Sequence, residues 1–467
     1  MKGVTSGRSA GASHQTEPRG ACGPESAATA AGVTAMFISH ACVLLRAGPV
    51  GLLSDPWLEG EIFNSSWAPL FTGHLGEEEL AALTHIWISH EHPDHLHFPS
   101  LRSIPPEVRA RVTLLYQRHP QRAVVDALRQ QGFREVIEMK PARWYVLAPG
   151  VEAACFPSRR VDSALAFRAA GTTILNLNDC KIGDWYLRHI GRVVGPVTLL
   201  LGQYSIAGWI GNPGQAAPPK RWKVIERTTR YCRLLRPRAL GLFASHAWFC
   251  HEENSYMNEW AISPQEAVDF VASHGRNGML CHALLPLDRW SVEGFVSRGE
   301  NLSAWGRATL QRATIPPVAR ELVPLATLME VAIQYLDQLR CECQRTGPPP
   351  GEPLDFYVED LNVTLRLVLS DFSLQEHPTA LQNCHLSLGS QALWNSFRYR
   401  WGFDTLDTSG RYKLINGPKK HPALVYLYDY GAANNQPSPF GLWERILLTF
   451  ARRWEWLDAR KGAGSQQ

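Results

Sequence analysis

Residues 87–98 read WISHEHPDHLHF and place a dense group of metal-binding residue types directly after a short apolar run. Imidazoles and carboxylates are ligands that borderline divalent metals accept, and a loop after a strand can direct several of them to one point. His90 and His92 share one side of an extended chain, and the turn at Pro93 directs Asp94 and His95 to a second point. The spacing predicts two metal positions, about 3.5 Å apart.

The composition bounds the class of protein. A chain of 467 residues exceeds the size at which one core usually keeps growing, so more than one domain is expected. The net charge of +4 is small for this length and is not gathered in a basic block, which gives no indication of a nucleic-acid partner. No apolar run reaches the roughly 20 residues that span a bilayer. Ten cysteines without regular spacing indicate reduced thiols, so we expect a cytoplasmic protein with no membrane partner.

Composition also divides the chain into four parts. Residues 1–33 are rich in Gly, Ala and Ser without an apolar segment, which predicts a flexible leader. Over 34–300, strand-like runs alternate with amphipathic helices, as in an α/β domain of two sheets with helices outside. A helical connection, with a long helix over 318–345, and a Pro-rich linker are predicted for 301–352. Residues 353–467 predict a smaller α+β domain.

The segment ISHEHPDHL, residues 88–96, resembles the HxHxDH signature of the metallo-β-lactamase superfamily. The segments ISHACVLL, SDPWLEG and ILNLNDC resemble the catalytic part of the CMP-N-acetylneuraminate hydroxylase family and, more loosely, the ascorbate-6-phosphate lactonase branch. The similarity covers about residues 34–260, without a counterpart of the hydroxylase family's N-terminal Rieske domain. It implies an αββα metallo-β-lactamase-like sandwich with metals at the ends of its inner strands.

The resemblance implies six metal-binding residues, carried over position by position: His90, His92, Asp94, His95, Asp179 and His246. The first two histidines would bind one ion, and Asp94 and His95 would bind the other. Asp179 would bridge the two ions. His246 lies where the superfamily has its last histidine, and His251 is an alternative for that role.

The chain departs from the superfamily at the third motif. The segment CFPSRRVDS, residues 155–163, has Ser158 where a ligand histidine is expected. The first metal position therefore lacks one nitrogen ligand, and Cys155, Asp162 or a water molecule are the candidates to replace it. Two alternatives stay open: a site that has lost catalysis, and a single ion bound by Asp94, His95, Asp179 and His246.

Further residues have predicted roles near the metals. His40 and Asp94 are the predicted catalytic side chains. Asp55 matches a motif position in the related families that orients a ligand by a hydrogen bond. Arg159 and Arg160 lie where the missing histidine would be, and their planar guanidinium groups suit a carboxylate or phosphate of an anionic substrate.

Three hypotheses for the function follow. Fewer nitrogen and more oxygen ligands suit iron better than zinc, which favours a dinuclear iron oxygenase or hydroxylase of an anionic small molecule. Its electrons would come from a separate ferredoxin or Rieske-type protein. The second hypothesis is a zinc- or manganese-dependent hydrolase of an ester, lactone or phosphoester, and the third is a non-catalytic binding protein. The C-terminal part resembles a sterol-carrier-like unit, whose expected roles are binding an apolar ligand, covering the active-site mouth or forming a homodimer.

Overall fold

The computed structural model describes residues 32–119, 122–158, 161–297, 301–342, 349–416 and 421–432. The predicted leader lies outside the described residues, apart from Gly32 and the buried Val33. Arg159 and Arg160 also lie outside them. The described residues from Gly32 onward belong to one compact unit.

The strands are numbered in chain order, and their bounds are β1 Thr34–Ser39, β2 Cys42–Ala47, β3 Val50–Ser54, β4 Trp67–Pro69, β5 His85–Ile88, β6 Thr113–Gln117, β7 Glu135–Met139, β8 Trp144–Ala148, β9 Val151–Pro157, β10 Ser163–Ala169, β11 Thr172–Asn176, β12 Leu199–Gln203, β13 Ala239–Phe243, β14 Ala247–Phe249, β15 Leu280–Ala283, β16 Arg289–Ser291, β17 Gly294–Val296, β18 Leu354–Val358, β19 Val363–Val368, β20 Ser373–Glu376, β21 Leu386–Leu388 and β22 Lys413–Leu414.

The α-helices are α1 Glu77–Ala82, α2 Phe98–Ser103, α3 Pro106–Arg109, α4 Ala123–Arg129, α5 Asp184–Val194, α6 Lys223–Leu235, α7 Pro264–His274, α8 Asn301–Ala313, α9 Leu325–Glu342, α10 Ser390–Arg398, α11 Gly402–Ser409 and α12 Pro422–Ala432. Short 3-10 helices span Pro219–Trp222, Ser255–Trp260 and Leu381–Asn383.

Two mixed sheets pack face to face. Within the described residues, the first sheet has eight strands in the order β17-β16-β1-β2-β3-β5-β6-β7, and the second has seven in the order β15-β13-β12-β11-β10-β9-β8. The apolar cluster between them draws residues from both sheets, including Val43, Trp87, Phe167 and Phe243. The inner parallel strands are buried along their whole length because both of their faces are covered.

Helices cover the outer face of each sheet. On the first sheet, Leu101 of α2 and Leu128 of α4 join a buried cluster with strand residues. On the second sheet, Leu187 of α5, Ile225 of α6 and Val271 of α7 do the same. The expected αββα sandwich is therefore confirmed.

The C-terminal part is a five-stranded sheet, counted over the described residues, in the order β20-β19-β18-β21-β22. It packs with α9, α10, α11 and α12 around an apolar cluster that includes Leu336, Phe356, Phe397 and Phe403. These elements give the part its α+β character, while its sterol-carrier-like identity and the predicted domain boundaries stay predictions. Helix α9 lies before the predicted linker and still contributes its buried face to this cluster.

The long helix predicted over 318–345 is shorter at its start. Helix α9 begins at Leu325, directly after Pro324. A proline disfavours helical geometry at the residue before it, so Val323 is not helical and the helix begins after Pro324. Val318, which the prediction placed in the helix, instead pairs with His251 in an isolated β-bridge. The predicted residues 343–345 lie outside the described residues.

Two further expectations concern the whole described chain. None of the described helices combines the length and apolar character that crossing a membrane would require. Eight of the cysteines lie in the described residues, and all eight are free thiols.

Candidate metal centre

One edge of the sandwich collects most of the predicted site residues. His40 follows β1, Asp55 follows β3, and the WISHEHPDHLHF loop follows β5. Asp179 follows β11 of the second sheet, and Asp162 lies in the connection between β9 and β10. Strands that run parallel end at the same edge of a sheet, which is why residues distant in sequence meet there.

The backbone at this edge is strained at three strand ends. Asp55, Asn178 and Ala244 have φ angles of 38°, 39° and 51°, in the left-handed region that side chains rarely adopt. They follow β3, β11 and β13 respectively. Strain of this kind persists where surrounding structure enforces it and is concentrated at functional sites, so these three turns are consistent with a site at this edge.

His90, His92 and Asp162 form the first group of ligand atoms. Nε2 of His90 lies 2.8 Å from Nδ1 of His92 and 3.9 Å from a carboxylate oxygen of Asp162. The potential ligand atoms of this group all lie within 4.8 Å of one another. Asp162 thus lies where the third-motif histidine is missing.

Neither Ser158, which occupies the aligned position, nor the candidate Cys155 belongs to this group. Ser158 bonds through its hydroxyl to the carbonyl of Lys181 at 3.4 Å. Cys155 is fully buried in the core between the sheets. Burial raises the pKa of its thiol to about 12, so Cys155 stays protonated and is a poor metal ligand.

Two more groups lie beside the first. His40 and His95 approach one carboxylate oxygen of Asp94, with Nε2 of each 3.4 Å and 3.2 Å from it. Nε2 of His95 is also 3.6 Å from Asp179, which groups with His90 and His95. Because His90 and His95 each belong to two groups, the three groups form one continuous cluster.

Unpaired buried atoms test whether this cluster fits a cation. Nε2 of His95, Oδ1 of Asp94 and Oδ1 of Asp179 are buried without a hydrogen-bond partner. Buried polar atoms are nearly always satisfied, so atoms left over at one point indicate a missing partner. Because the atoms are imidazole nitrogens and carboxylate oxygens, a divalent metal ion fits them.

Asp55 and Ser89 orient two of the histidines. The fully buried Asp55 carboxylate accepts hydrogen bonds from the Ser89 backbone N–H at 2.7 Å and hydroxyl at 2.8 Å, and it lies 2.9 Å from Nδ1 of His95. The Ser89 hydroxyl also lies 2.9 Å from Nδ1 of His90. Both imidazoles are thereby held by Nδ1, and both turn Nε2 toward the cluster, which is the arrangement typical of metal-binding histidines.

Charge crowding shifts the pKa values in the cluster. Burial alone would lower the pKa of His95, but Asp94 and its other carboxylate neighbours raise it well above the usual range. Burial would raise the pKa of Asp94, but His95 and His40 hold it well below the usual range. Burial, together with the charge of Asp179, raises the pKa of Asp162 to about 7. Carboxylates packed this closely favour a bound cation.

His246 and His251 lie outside the three groups. His246 is fully buried, and its Nε2 lies 2.9 Å from the carbonyl of Leu284, although its Nδ1 has no hydrogen-bond partner. Burial and the nearby His40 lower the pKa of His246 to about 3. Nδ1 of His251 faces Glu253 at 3.4 Å. Metal binding by His246 stays a prediction, as does the alternative role of His251.

Two residues at the centre were missed by the sequence reasoning. Ser89 immediately precedes the motif, and its role depends on the position of Asp55 in space. Asp404 comes from α11 of the C-terminal part, and its carboxylate lies 3.2 Å from Nε2 of His92. Burial would lower the pKa of His92, but the hydrogen bond that its ring donates to Asp404 raises it to about 9. No local pattern in the sequence connects residues 92 and 404.

Relatives were found by sequence, while no protein-family model matches the chain. The chain is 26% identical over 251 residues to inactive cytidine monophosphate-N-acetylneuraminic acid hydroxylase from Homo sapiens, covering 48% of this chain and 47% of the relative. It is 26% identical over 267 residues to cytidine monophosphate-N-acetylneuraminic acid hydroxylase from Danio rerio, covering 51% of this chain and 43% of the relative. The matched region thus spans less than half the length of either relative.

Solved structures also show some likeness. Igni18, a metallo hydrolase from Ignicoccus hospitalis, matches with a TM-score of 0.39 and 17% identity over 55% of this chain and 97% of its own. CmlA, a diiron β-hydroxylase from Streptomyces venezuelae, matches with a TM-score of 0.37 and 19% identity over 55% of this chain and 53% of its own. Likeness at this level carries no conclusion about function.

The ligand pattern, the two facing sheets and the sequence relatives agree with one another. The HxHxDH residues lie after β5 at the edge where the other candidate ligands gather. The chain therefore resembles the metallo-β-lactamase superfamily in fold and ligand pattern, and over about half of its length it is similar to cytidine monophosphate-N-acetylneuraminic acid hydroxylase.

Proposed function

We propose that this chain is a dinuclear iron oxygenase or hydroxylase that acts on an anionic small molecule. The observation that carries the proposal is the composition of the three ligand groups, each of which has two histidines and one aspartate. Two histidines and one carboxylate around open positions are typical of non-haem iron oxygenases. The hydroxylase names of the sequence relatives support the same chemistry.

The groups suggest how the ligands divide between two ions. We assign His90, His92 and Asp162 to the first ion, with Asp162 replacing the missing histidine. Asp94, His95 and His40 are assigned to the second ion, and Asp179 lies where it can bridge. In this assignment, His40 and Asp94 act as ligands, which suits side chains that are nearly fully buried, and their catalytic role stays a prediction. His246 stays the alternative to His40.

Iron bound there would supply the activation of dioxygen, with electrons delivered by a separate ferredoxin or Rieske-type protein. The chain's own residues hold and shape the site. Asp55 and Ser89 fix the imidazoles of His95 and His90 from the buried side. The substrate would approach from the other side, where the side chains of His92 and Asp179 are 28% and 21% exposed.

The proposed substrate class is an anionic sugar nucleotide. The relatives are named for cytidine monophosphate-N-acetylneuraminic acid, which carries phosphate and carboxylate groups. On the exposed side, the positive charge of Lys181 partly offsets the rise in the pKa of Asp162 that burial and Asp179 cause. A positive charge there would attract an anion toward the centre. Anion binding by Arg159 and Arg160 stays a prediction about residues outside the described ranges.

Two alternatives have specific support. Imidazoles and carboxylates also bind zinc and manganese, and with either ion the same residues would support hydrolysis of an ester, lactone or phosphoester. A non-catalytic site is the other alternative, since one of the relatives is named an inactive hydroxylase. Sequence similarity at this level therefore does not decide activity by itself.

Elemental analysis of the purified full chain tests the proposal. We expect about two iron ions per chain and, with a reductant and an electron-transfer protein, transfer of one oxygen atom from dioxygen to a sugar nucleotide such as cytidine monophosphate-N-acetylneuraminic acid. Bound zinc or manganese with hydrolytic activity would support the first alternative. A chain that binds no metal would support the second.

Histidine variants identify the ligands in the same assay. His90→Ala and His95→Ala should lose most of the metal, because each residue belongs to two groups. His40→Ala should lose more metal than His246→Ala, since Nε2 of His246 is held by the carbonyl of Leu284. The exposed His274 is the control, and its replacement by alanine should leave the metal content unchanged. The reverse order for His40 and His246 would restore His246 as the ligand.

A further inference from the structure

The C-terminal part reaches the candidate metal centre through Asp404. This residue lies in α11 and is only 7% exposed. Its carboxylate oxygen Oδ2 is 3.2 Å from Nε2 of His92, a hydrogen bond between residues 312 positions apart in the sequence. A nearly buried carboxylate at hydrogen-bonding distance from an imidazole restrains the ring more than an exposed ion pair does.

The two nitrogens of His92 face opposite ways. Nδ1 lies 2.8 Å from Nε2 of His90, which is itself near Asp162, so Nδ1 is the nitrogen that faces the first ligand group. Nε2 faces Asp404. A histidine that binds metal through one nitrogen usually donates its other N–H to a carboxylate or carbonyl, which fixes its tautomer and its orientation.

The same arrangement already occurs on the other side of the centre. There, Asp55 holds Nδ1 of His95 and leaves Nε2 toward the cluster. Asp55 belongs to the first sheet, whereas Asp404 belongs to the C-terminal part. His92 is also the most exposed of the motif histidines, with 28% of its side chain accessible, so without Asp404 the surrounding core restrains it less.

Helix α11 holds Asp404 in place. Phe403 and Leu406 anchor the helix in the C-terminal apolar cluster. At Gly402, where the helix begins, a Cβ atom would overlap the carbonyl oxygens of Asn395 and Ser396, so the helix packs tightly against the end of α10. The position of the Asp404 carboxylate is therefore set by the packing of the C-terminal part.

We propose that Asp404 is a positioning residue that fixes the tautomer and orientation of His92, so that the C-terminal part completes the first metal position. This inference rests on the proposed metal centre. It gives the C-terminal part a defined role at the site, whatever metal is bound and whatever reaction follows.

Metal titration of the full chain tests the inference without an activity assay. The probe is Co²⁺ added to metal-free protein, with visible absorption reporting the coordination of each position. Asp404→Ala should weaken one of the two positions by about 10- to 100-fold and change its spectrum, while the other keeps its affinity. Asp404→Glu should restore part of the affinity and the original spectrum, because it supplies a carboxylate again.

Asp407→Ala is the matched control. Asp407 lies three residues further along the same helix and accepts a hydrogen bond from the hydroxyl of Tyr412, so its replacement removes a carboxylate of α11 that has no contact with His92. It should leave both Co²⁺ affinities unchanged, and circular dichroism would show that all variants are folded. If Asp404→Ala bound Co²⁺ at both positions with the affinities of the unsubstituted chain, the positioning role would be refuted. The proposed metal centre would be unaffected by that result. If the unsubstituted chain bound no Co²⁺, the metal centre and the positioning role would both be overturned.

Discussion

At the scale of single residues, the site depends on side chains that never need to touch a substrate. Asp55 is fully buried and forms hydrogen bonds with Ser89 and His95. The Ser89 hydroxyl in turn contacts Nδ1 of His90 and holds that ring in place. These hydrogen bonds engage Nδ1 of each imidazole and so leave Nε2 as the nitrogen that can bind a metal ion. The ligands alone therefore do not define the centre, because their orientation comes from residues behind them.

The change Asp55→Asn tests this dependence. An asparagine keeps the size of the side chain but replaces one acceptor oxygen with an NH2 group. It therefore cannot accept the Ser89 backbone N–H at one atom while its other atom serves His95 and the Ser89 hydroxyl. Metal affinity, measured by competition with a chelator, should fall by about 10- to 100-fold. Asp126→Asn on the exposed face of α4 is the control and should not change the affinity. Unchanged affinity in Asp55→Asn would show that the histidines are held without this carboxylate.

The sequence was informative at residue scale where a motif is local. The HxHxDH residues could be predicted because their spacing alone places them in one loop, and the structure brings all four into the cluster. Asp162 was one of three candidates for the vacant position, and only the pairing of β9 with β10 shows that it faces His90. Whether His40 or His246 binds metal depends on rotamers and neighbours that the sequence does not specify.

At the scale of elements, short local patterns carried most of the prediction. Apolar runs bounded by Gly, Pro and polar residues indicated the strands of the sandwich. In the structure, Ser263 is the N-cap of α7, where its hydroxyl accepts the backbone N–H of Glu266 and the Glu266 carboxylate accepts the N–H of Ser263. This reciprocal pair is local in sequence, which is why a pattern can reveal it.

Replacing the cap gives an element-scale prediction. Ser263→Ala leaves a helix N–H without its acceptor and should lower the free energy of unfolding by about 1 kcal/mol, measured by urea denaturation. Metal content should stay the same, because α7 lies on the outer face of the second sheet, away from the centre. Ser273→Ala, on an exposed turn of the same helix, should have a much smaller effect. Equal losses in both variants would argue against a capping role.

At the scale of the whole molecule, buried polar contacts join the C-terminal part to the sandwich. Arg411 is 2% exposed and bonds to Glu253 at 2.6 Å and to the carbonyl of Asn64 at 3.2 Å. It also bonds to Gln391 of α10. Asn254 bonds through its side chain to the carbonyl of Ser409, at the end of α11. These contacts hold α11, and with it Asp404, against the metal-binding part.

Removing the buried charge should therefore be costly. Arg411→Met would leave the carboxylate of Glu253 buried without its main partner, and we expect a loss of about 3–5 kcal/mol in the free energy of unfolding. The comparison is Arg46→Met, which removes an exposed ion pair with Glu78 and should cost far less, because solvent screens that pair. Denaturant unfolding of both variants measures the difference. A small loss for Arg411→Met would mean that water or another side chain replaces the guanidinium.

The sequence by itself indicated the strands, the helices and the loop that carries the HxHxDH residues, because these depend on patterns within short stretches of chain, while the αββα arrangement was implied by the family resemblance. Hydrophobic period and turn residues fix strands and helices locally, and alternation places ligands in one loop. The tertiary structure alone decided that Asp162 joins His90 and His92, that His40 approaches Asp94, and that Asp404 reaches His92. Those contacts join residues from different strand ends and from separate parts of the molecule, so they arise only when the sheets and the C-terminal helices have packed.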